Sequence, residues 1–135
     1  MARSGVLHHV EIYVSALDAT KRFWGDFLGR LGDSDGRDFP GGVTYELGDT
    51  YITFVQVDPA YAEPAYHRKR VGLNHLSFHA ESREQVDHMT HWVKQQGYTV
   101  LYENKHPYAG GEDYYALFCE DPDRMKVELV APFET

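Results

Sequence analysis

Alternating apolar and polar residues open the chain and predict a β-strand. In the run HVEIYV at residues 9–14, every second side chain is apolar, as in a strand with one buried face. Apolar residues then recur at helical spacing and end at glycines, which predicts a helix. These residues are Phe23, Trp24, Phe27 and Leu28. The same order returns in LNHLSFHA and the helix after it, with His75 standing 66 positions after His9.

Further apolar runs complete two similar halves. The first half continues with 42–48 and 50–58, joined by a Gly48-Asp49 turn signal. The second half continues with runs at 98–103, 113–120 and 124–132. Serines at 15 and 82 stand where N-caps of the two helices are expected. Each half is therefore predicted to have the order β-α-β-β-β, the first module at 1–58 and the second at 73–135, with a linker at 59–72.

An internal repeat of this kind predicts the fold class. A single βαβββ module cannot bury both faces of its sheet, whereas two modules can enclose a shared space. We therefore predict one α+β domain, in which the two modules form a curved, half-barrel-like mixed sheet around a central cavity.

Composition and charge exclude several functions. The 135 residues carry a formal net charge of −8, which disfavours nucleic acid as a partner. No apolar run approaches the roughly 18–20 residues of a membrane span, and no signal peptide is predicted. Because Cys119 is the only cysteine, no internal disulfide can form, and we expect a cytoplasmic protein.

The repeat also predicts a metal site. His9 and His75 begin equivalent strands, and Glu128 lies in the last predicted strand. When VELV at 127–130 is aligned with ITFV at 52–55, Glu128 matches Thr53, which is a poor ligand. The predicted site is His9, His75 and Glu128. Two imidazoles and a carboxylate suit a divalent ion such as Zn, Ni, Mn, Fe or Co, with positions left for water or substrate.

Three further side chains are candidates for catalysis. Glu11 and Tyr13 share a strand face with His9, and His79 shares one with His75. A carboxylate beside a metal can serve as a general base, and His79 can contact substrate or a ligand. The alternatives are that Glu11 pairs with a basic group and that His79 is an interior histidine with its hydrogen bonds satisfied.

Other polar residues have more than one interpretation. The loop at 104–113 contains glycines and a proline and could close over a site or simply connect two strands. Of Tyr114 and Tyr115, one is expected to face each side of the sheet. The remaining expectations are structural. They are that His8 packs on the opposite face from His9, that Gln56 is a weak polar candidate, that His88 and His91 lie on the surface, and that Cys119 fills the core.

Three segments of the chain resemble a known family. HHVEIYVSALDATKRFWGDFLGRLG, GLNHLSFHA and FCEDPDRMKVELV are similar to sequences of the vicinal oxygen chelate superfamily. That superfamily includes glyoxalase I, extradiol dioxygenases, fosfomycin-resistance thiol transferases and bleomycin-binding proteins. The resemblance implies that His9, His75 and Glu128 bind a metal. It also implies that Thr53 replaces a glutamate that binds metal and acts as a base in glyoxalase I.

Two classes of function follow. The first is a metal-dependent, glyoxalase-like enzyme whose small substrate chelates the ion through neighbouring oxygens; dioxygenase and fosfomycin-type thiol transfer chemistry are variants of it. The second is a metal-free drug-binding or ligand-binding dimer of the bleomycin-resistance type, for which the acidic charge favours cationic ligands. The resemblance implies a homodimer in either case.

Overall fold

The computed structural model describes residues 4–32 and 35–133 and confirms the α+β class. The chain divides into two compact units, 1–65 and 66–135, so the boundary lies inside the predicted linker. Two open sheets, of four and three strands, carry one α-helix each over the described ranges. Neither helix has the length and apolarity required to cross a lipid bilayer.

Unit 1 contains β1 (His9–Val14), α1 (Leu17–Arg30), β2 (Arg37–Phe39), β3 (Gly42–Leu47), β4 (Thr50–Gln56) and a 3-10 helix (Pro59–Tyr61). Its strands form one sheet with the order β1-β4-β3-β2. The strand β1 runs parallel to β4, and the other neighbours are antiparallel. The short strand β2 escapes prediction because its three residues are all exposed and show no alternation.

The turn between β3 and β4 confirms the hairpin signal. Leu47 pairs with Thr50, so Gly48 and Asp49 form a two-residue connection. Gly48 has φ 65°, a left-handed conformation that glycine adopts without strain.

Aromatic side chains form the core of unit 1. The ring of Trp24 on α1 packs against that of Phe54 on β4, with centroids 5.0 Å apart. Phe23 and Phe27 lie beside Trp24 on the same helical stripe, and all four rings are fully buried. The face of β1 that holds Val14 therefore meets the helix, while the face that holds His9 points away from it.

The start of α1 differs from the prediction. The N-cap residue is Ala16, and no side chain of the cap residue accepts a helical N–H. The amide of Gln56 binds the chain at this end of the helix. Its oxygen accepts a bond from the N–H of Leu17 at 2.9 Å, and its nitrogen donates to the Ser15 carbonyl at 2.8 Å. Gln56 thus satisfies a helix end from the last residue of β4 and has a structural role.

Unit 2 begins with a β-strand and an α-helix, as unit 1 does, but two strands follow the helix where unit 1 has three in its described residues. It contains β5 (His75–His79), α2 (Arg83–Gln95), β6 (Ala116–Glu120) and β7 (Lys126–Val130). Its sheet has the order β5-β7-β6, with β5 parallel to β7 and β6 antiparallel to β7. The helix α2 begins with the predicted cap, since Ser82 Oγ accepts from the N–H of Gln85 at 3.0 Å.

The prediction of a strand at 98–103 is wrong, because the structure forms no regular strand there. Only Val100 forms a bridge, with Cys119 on β6. Pairing stops at Tyr102, whose φ of 56° turns the backbone out of the extended conformation. The carbonyl of Tyr102 then accepts the N–H groups of Lys105 and His106 in a turn.

Cys119 fills the core of unit 2, as predicted. Its side chain is fully buried on β6. Burial raises the pKa of its thiol well above the usual value, so the reactive thiolate is suppressed.

Candidate functional site

The two parallel strand pairs have the same register in both units. In unit 1, Glu11 on β1 lies opposite Thr53 on β4. In unit 2, Ser77 on β5 lies opposite Glu128 on β7. Both pairs lie two residues beyond the histidine that begins the first strand. The backbone therefore supports the alignment of Thr53 with Glu128 that the sequence repeat predicted.

His75 and Glu128 form the centre of the site in unit 2. The ring Nε2 of His75 lies 3.2 Å from Oε1 of Glu128. Glu128 is only 3% exposed, although it is a carboxylate in the middle of a sheet. The other ring nitrogen, Nδ1, lies 2.7 Å from the side-chain oxygen of Asn74. The structure thus brings together two of the three predicted metal ligands.

Asn74 orients the imidazole of His75. Because an amide oxygen only accepts, Nδ1 must carry the proton and donate it to Asn74. In the neutral ring, Nε2 then has a lone pair that faces the carboxylate of Glu128. Two acceptors that face each other need a proton or a cation between them. The second oxygen, Oε2, is buried and has no hydrogen-bond partner among the described residues.

Tyr114 lies against the same carboxylate. The neighbouring carboxylate of Glu128 is the main reason that the pKa of Tyr114 is raised to about 12, and burial adds to it. Tyr115 turns the other way, and its hydroxyl donates to Asp87 on α2 at 2.5 Å. The expectation that one tyrosine faces each side is therefore confirmed, and Tyr114 is the one on the side of the site.

Replacing Tyr114 by phenylalanine should flatten the loss of stability at alkaline pH. Tyrosine ionises near pH 10 in an unfolded chain but near 12 in the fold. Between these values the unfolded state has lost a proton that the folded state keeps, so a rising pH favours unfolding. Urea denaturation from pH 8 to 11 should show a shallower decline for Y114F than for the unmodified chain. Tyr61→Phe is the exposed control, and equal slopes in all three proteins would contradict the Glu128 contact.

Unit 1 has a hydroxyl pair where unit 2 has the carboxylate. Thr53 is 4% exposed, and its Oγ1 lies 2.8 Å from Oγ1 of Thr44 on β3. Both hydroxyls are thus engaged with each other. The fourth, symmetry-related position of the repeat offers no carboxylate ligand.

His9 stands at the edge of unit 1 in an aromatic cluster. Its ring stacks on Tyr51 with centroids 4.6 Å apart and an interplanar angle of 5°. Its Nδ1 lies 2.8 Å from Nδ1 of His8. The expectation that His8 packs on the opposite face is wrong, because His8 is exposed and its ring contacts both His9 and Tyr51.

The predicted triad remains a prediction as a whole. His9 belongs to unit 1, whereas His75 and Glu128 belong to unit 2. Over residues 4–32 and 35–133, no group of three or more His, Cys, Asp or Glu side chains is arranged as a metal site. The structure supports the predicted triad with two observations. His75 lies next to Glu128, and Oε2 of Glu128 has no hydrogen-bond partner among the described residues.

The three predicted catalytic residues occupy the expected face of their strands. Glu11, Tyr13 and His79 are all exposed and alternate with more buried neighbours. Their roles in catalysis stay predictions. His88 and His91 are exposed on α2, as expected for surface residues.

The loop at 104–113 packs on α2. Oγ1 of Thr90 lies 3.5 Å from Nε2 of His106, and Arg83 donates to the hydroxyl of Tyr108 at 3.4 Å. Burial lowers the pKa of His106. These contacts hold the loop on the helix, and whether it also covers a site stays a prediction.

Comparison with known proteins adds the family. The model of the Glyoxalase/Bleomycin resistance protein/Dioxygenase superfamily matches residues 6–129. The chain belongs to this superfamily. The match includes both histidine-led strands and Glu128, so the resemblance predicted from three short segments is confirmed along nearly the whole chain.

Relatives within the superfamily cover almost the full length. An uncharacterized protein named YqjT from Bacillus subtilis strain 168 is 54% identical over 126 residues, which is 93% of this chain and 98% of that protein. A candidate glyoxalase from Bacillus halodurans has a solved structure with 52% identity and a TM-score of 0.93, covering 96% of this chain and 97% of that one. A fosfomycin resistance protein, FosX, from Listeria monocytogenes shares the fold at 21% identity, with a TM-score of 0.69 and coverage of 97% and 95%.

Two residues of the site escaped the sequence analysis. Asn74 precedes His75 directly, and its role depends on the hydrogen bond to Nδ1, which has no signature in a sequence pattern. Lys126 lies two residues before Glu128 and therefore on the same strand face. The alternation rule could have placed Lys126 in the site, but only the structure shows its neighbours.

Proposed function

We propose that the chain is a divalent-metal-dependent, glyoxalase-like enzyme that acts on a small molecule with neighbouring chelating oxygens. In this proposal His9, His75 and Glu128 hold the metal. The observation that carries it is the carboxylate of Glu128. It is 3% exposed, one oxygen faces a histidine nitrogen, and the other has no partner in the described part of the chain. A buried carboxylate left in this state is costly unless a cation compensates it.

The donor set suits a divalent metal. Nε2 of His75 is unprotonated in the tautomer that Asn74 selects, as metal coordination requires. Metal-binding histidines commonly donate their other ring nitrogen to an oxygen in this way. His9 has a similar contact with its neighbour, since Nδ1 meets His8 and the far side of the ring is left for a ligand. Two imidazoles and one carboxylate accept several metals.

A metal bound there would polarise the substrate oxygens that chelate it and would stabilise negative charge that develops on them. The residues of the chain would do the rest. Asn74 and His8 orient the two imidazoles, and Tyr114 holds a proton against Glu128 with a pKa of about 12. Tyr114 therefore stays neutral at physiological pH and keeps its hydroxyl proton on the side of Glu128.

Glu11 is our candidate for the general base. Its register partner is Thr53. The family resemblance implies that glyoxalase I carries a glutamate at the position of Thr53. Side chains opposite each other in a parallel pair share a face, so Glu11 presents a carboxylate next to the position that lacks one. A proton taken from one carbon of the substrate and returned to the neighbouring carbon would complete an isomerisation without net proton change.

The superfamily gives this proposal its reaction class. The Bacillus halodurans protein, at 52% identity, is described as a candidate glyoxalase. The fosfomycin resistance protein supports the fold only, and fosfomycin-type thiol addition stays the second candidate function. We also propose that the enzyme works as a homodimer, which sedimentation of the purified chain can test.

The experiment is an activity screen with metal-loaded protein. The purified chain, stripped and then loaded with Mn²⁺, Ni²⁺, Zn²⁺, Co²⁺ or Fe²⁺, is assayed on methylglyoxal–thiol adducts, catechols with oxygen, and fosfomycin with thiol. We expect turnover of a thiol adduct that needs the metal. Turnover should fall by about 100-fold or more in Glu11→Gln and stay unchanged in Glu46→Gln, an exposed glutamate on the same sheet. A stripped protein that binds drugs tightly, and gains no activity with any metal, would contradict the proposal.

A further inference from the structure

Lys126 is a lysine inside the site. It begins β7, two residues before Glu128, and its register partner on β5 is His75. Register partners project to the same face of a sheet, so its side chain lies on the face that carries both His75 and Glu128. Lys126 is half-buried, which is unusual for an ammonium group without a counter-ion.

Two aromatic rings lie near the ammonium group of Lys126. Nζ donates to the hydroxyl of Tyr102 at 3.2 Å and lies 5.6 Å from the centre of that ring. It lies 6.0 Å from the ring of Phe118 on β6, which is 8% exposed. The same Phe118 ring is 6.4 Å from that of His75. One aromatic side chain therefore forms a wall shared by the lysine and the proposed metal ligand.

Glu120 and Glu128 are the carboxylates nearest to Lys126 along the sheet, and neither forms an ion pair with it. Glu120 is the register partner of Lys126 on β6, but its Oε2 accepts from Arg68 and, at 3.3 Å, from Arg124. Glu128 interacts with His75 through Oε1. Within the described residues, no carboxylate lies at ion-pair distance from Lys126. Because a partly desolvated cation is stabilised most by an anion, this position is suited to a negatively charged ligand.

The hydroxyl of Tyr102 adds a second donor. Since this oxygen accepts from Nζ of Lys126, its own proton remains to be donated to a ligand. Tyr102 is 42% exposed, so a ligand can reach it from solvent. The pair thus presents an ammonium and a phenol hydroxyl to the same oxyanion.

We propose that Lys126, with Tyr102, binds an anionic group of the substrate, so that the substrate is a carboxylate or similar oxyanion that also chelates the metal. A carboxylate with an adjacent hydroxyl or keto oxygen combines both properties in one small molecule. This inference rests on the proposed function, because it assumes a metal at His75 and Glu128. The inference goes beyond the proposed function by naming the charge of the substrate and the residue that selects for that charge.

Ligand binding to metal-loaded protein tests the inference without an activity assay. The probes are glycolate and glycolamide, which have the same shape and the same two chelating oxygens but differ in charge. Calorimetry measures their affinity for the Mn²⁺-loaded chain and for K126M, K126R and K105M; Lys105 is an exposed lysine on the loop at 104–113. Mn²⁺ titration and circular dichroism of each variant confirm that it folds and loads.

The expected result is a charge-specific loss. K126M should bind glycolate about tenfold more weakly or worse and should bind glycolamide with unchanged affinity. K126R should retain most of the glycolate affinity, and K105M all of it. If glycolate does not bind the loaded chain, or binds K126M equally well, the inference is overturned while the metal site stands. If Mn²⁺ itself does not bind, the proposed function fails first.

Discussion

Replacing Glu128 by glutamine should weaken metal binding without lowering the stability of the metal-free fold. We expect Mn²⁺ affinity to fall by more than about 100-fold, since losing a direct ligand should exceed the 10–100-fold effect of losing an outer partner. Without metal, the variant should be as stable as the unmodified chain or more stable, by about 1 kcal/mol. The buried charge disappears, and the new amide N–H can donate to Nε2 of His75, which now faces an acceptor at 3.2 Å. Isothermal titration and urea denaturation of stripped protein measure the two quantities.

The control for this variant is Glu84→Gln. Glu84 lies in the first turn of α2 and its side chain is 81% exposed, so the same chemical change there should leave Mn²⁺ affinity unchanged and should lower stability by about 0.3–1 kcal/mol, through loss of a charge that favours the helix N-terminus. A stripped E128Q protein that is markedly less stable than the unmodified chain would show that Glu128 serves the fold. Our account of a carboxylate held ready for a cation would then fail.

Replacing Trp24 by alanine should have the largest effect on stability. Its indole is fully buried between α1 and the sheet, 5.0 Å from the ring of Phe54 and 5.7 Å from that of Phe27. Removing it leaves a cavity that backbone relaxation cannot close, at a cost of about 3–5 kcal/mol in the free energy of unfolding. Urea denaturation followed by circular dichroism measures this change.

A surface aromatic provides the comparison for W24A. Tyr61 is 79% exposed on the 3-10 helix, and Tyr61→Ala should change the free energy of unfolding by no more than about 0.5 kcal/mol. A loss below about 1 kcal/mol in W24A would mean that the aromatic cluster does not hold α1 on the sheet. Another interaction would then have to explain how β1, and with it His9, is held in its position.

The repeated hydrophobic pattern was enough to predict the helices, the β3–β4 hairpin and the two histidine-led strands. Strict alternation forces His9 and His75 onto the face away from the helices, because the apolar partners must be buried. The register that aligns Thr53 with Glu128 follows from the same constraint. These features depend on period alone, which a sequence displays directly.

Features that depend on single hydrogen bonds or on unusual backbone conformations were not predictable. Gln56 binds the N-terminal end of α1 from the last residue of β4, a contact that no local sequence signal indicates. The run at 98–103 is rich in strand-forming residues, yet its pairing with β6 stops at the positive φ of Tyr102. The tautomer of His75 depends on the conformation of Asn74, which only coordinates reveal.

The most direct test of the central claim is the Mn²⁺ affinity of His9→Ala, His75→Ala and Glu128→Gln, measured beside the unmodified chain. The claim is that these three residues bind one cation. It predicts one Mn²⁺ per chain in the unmodified protein and a loss of affinity of at least about 100-fold in each of the three variants. Unchanged affinity in His9→Ala, together with lost affinity in the other two variants, would contradict it.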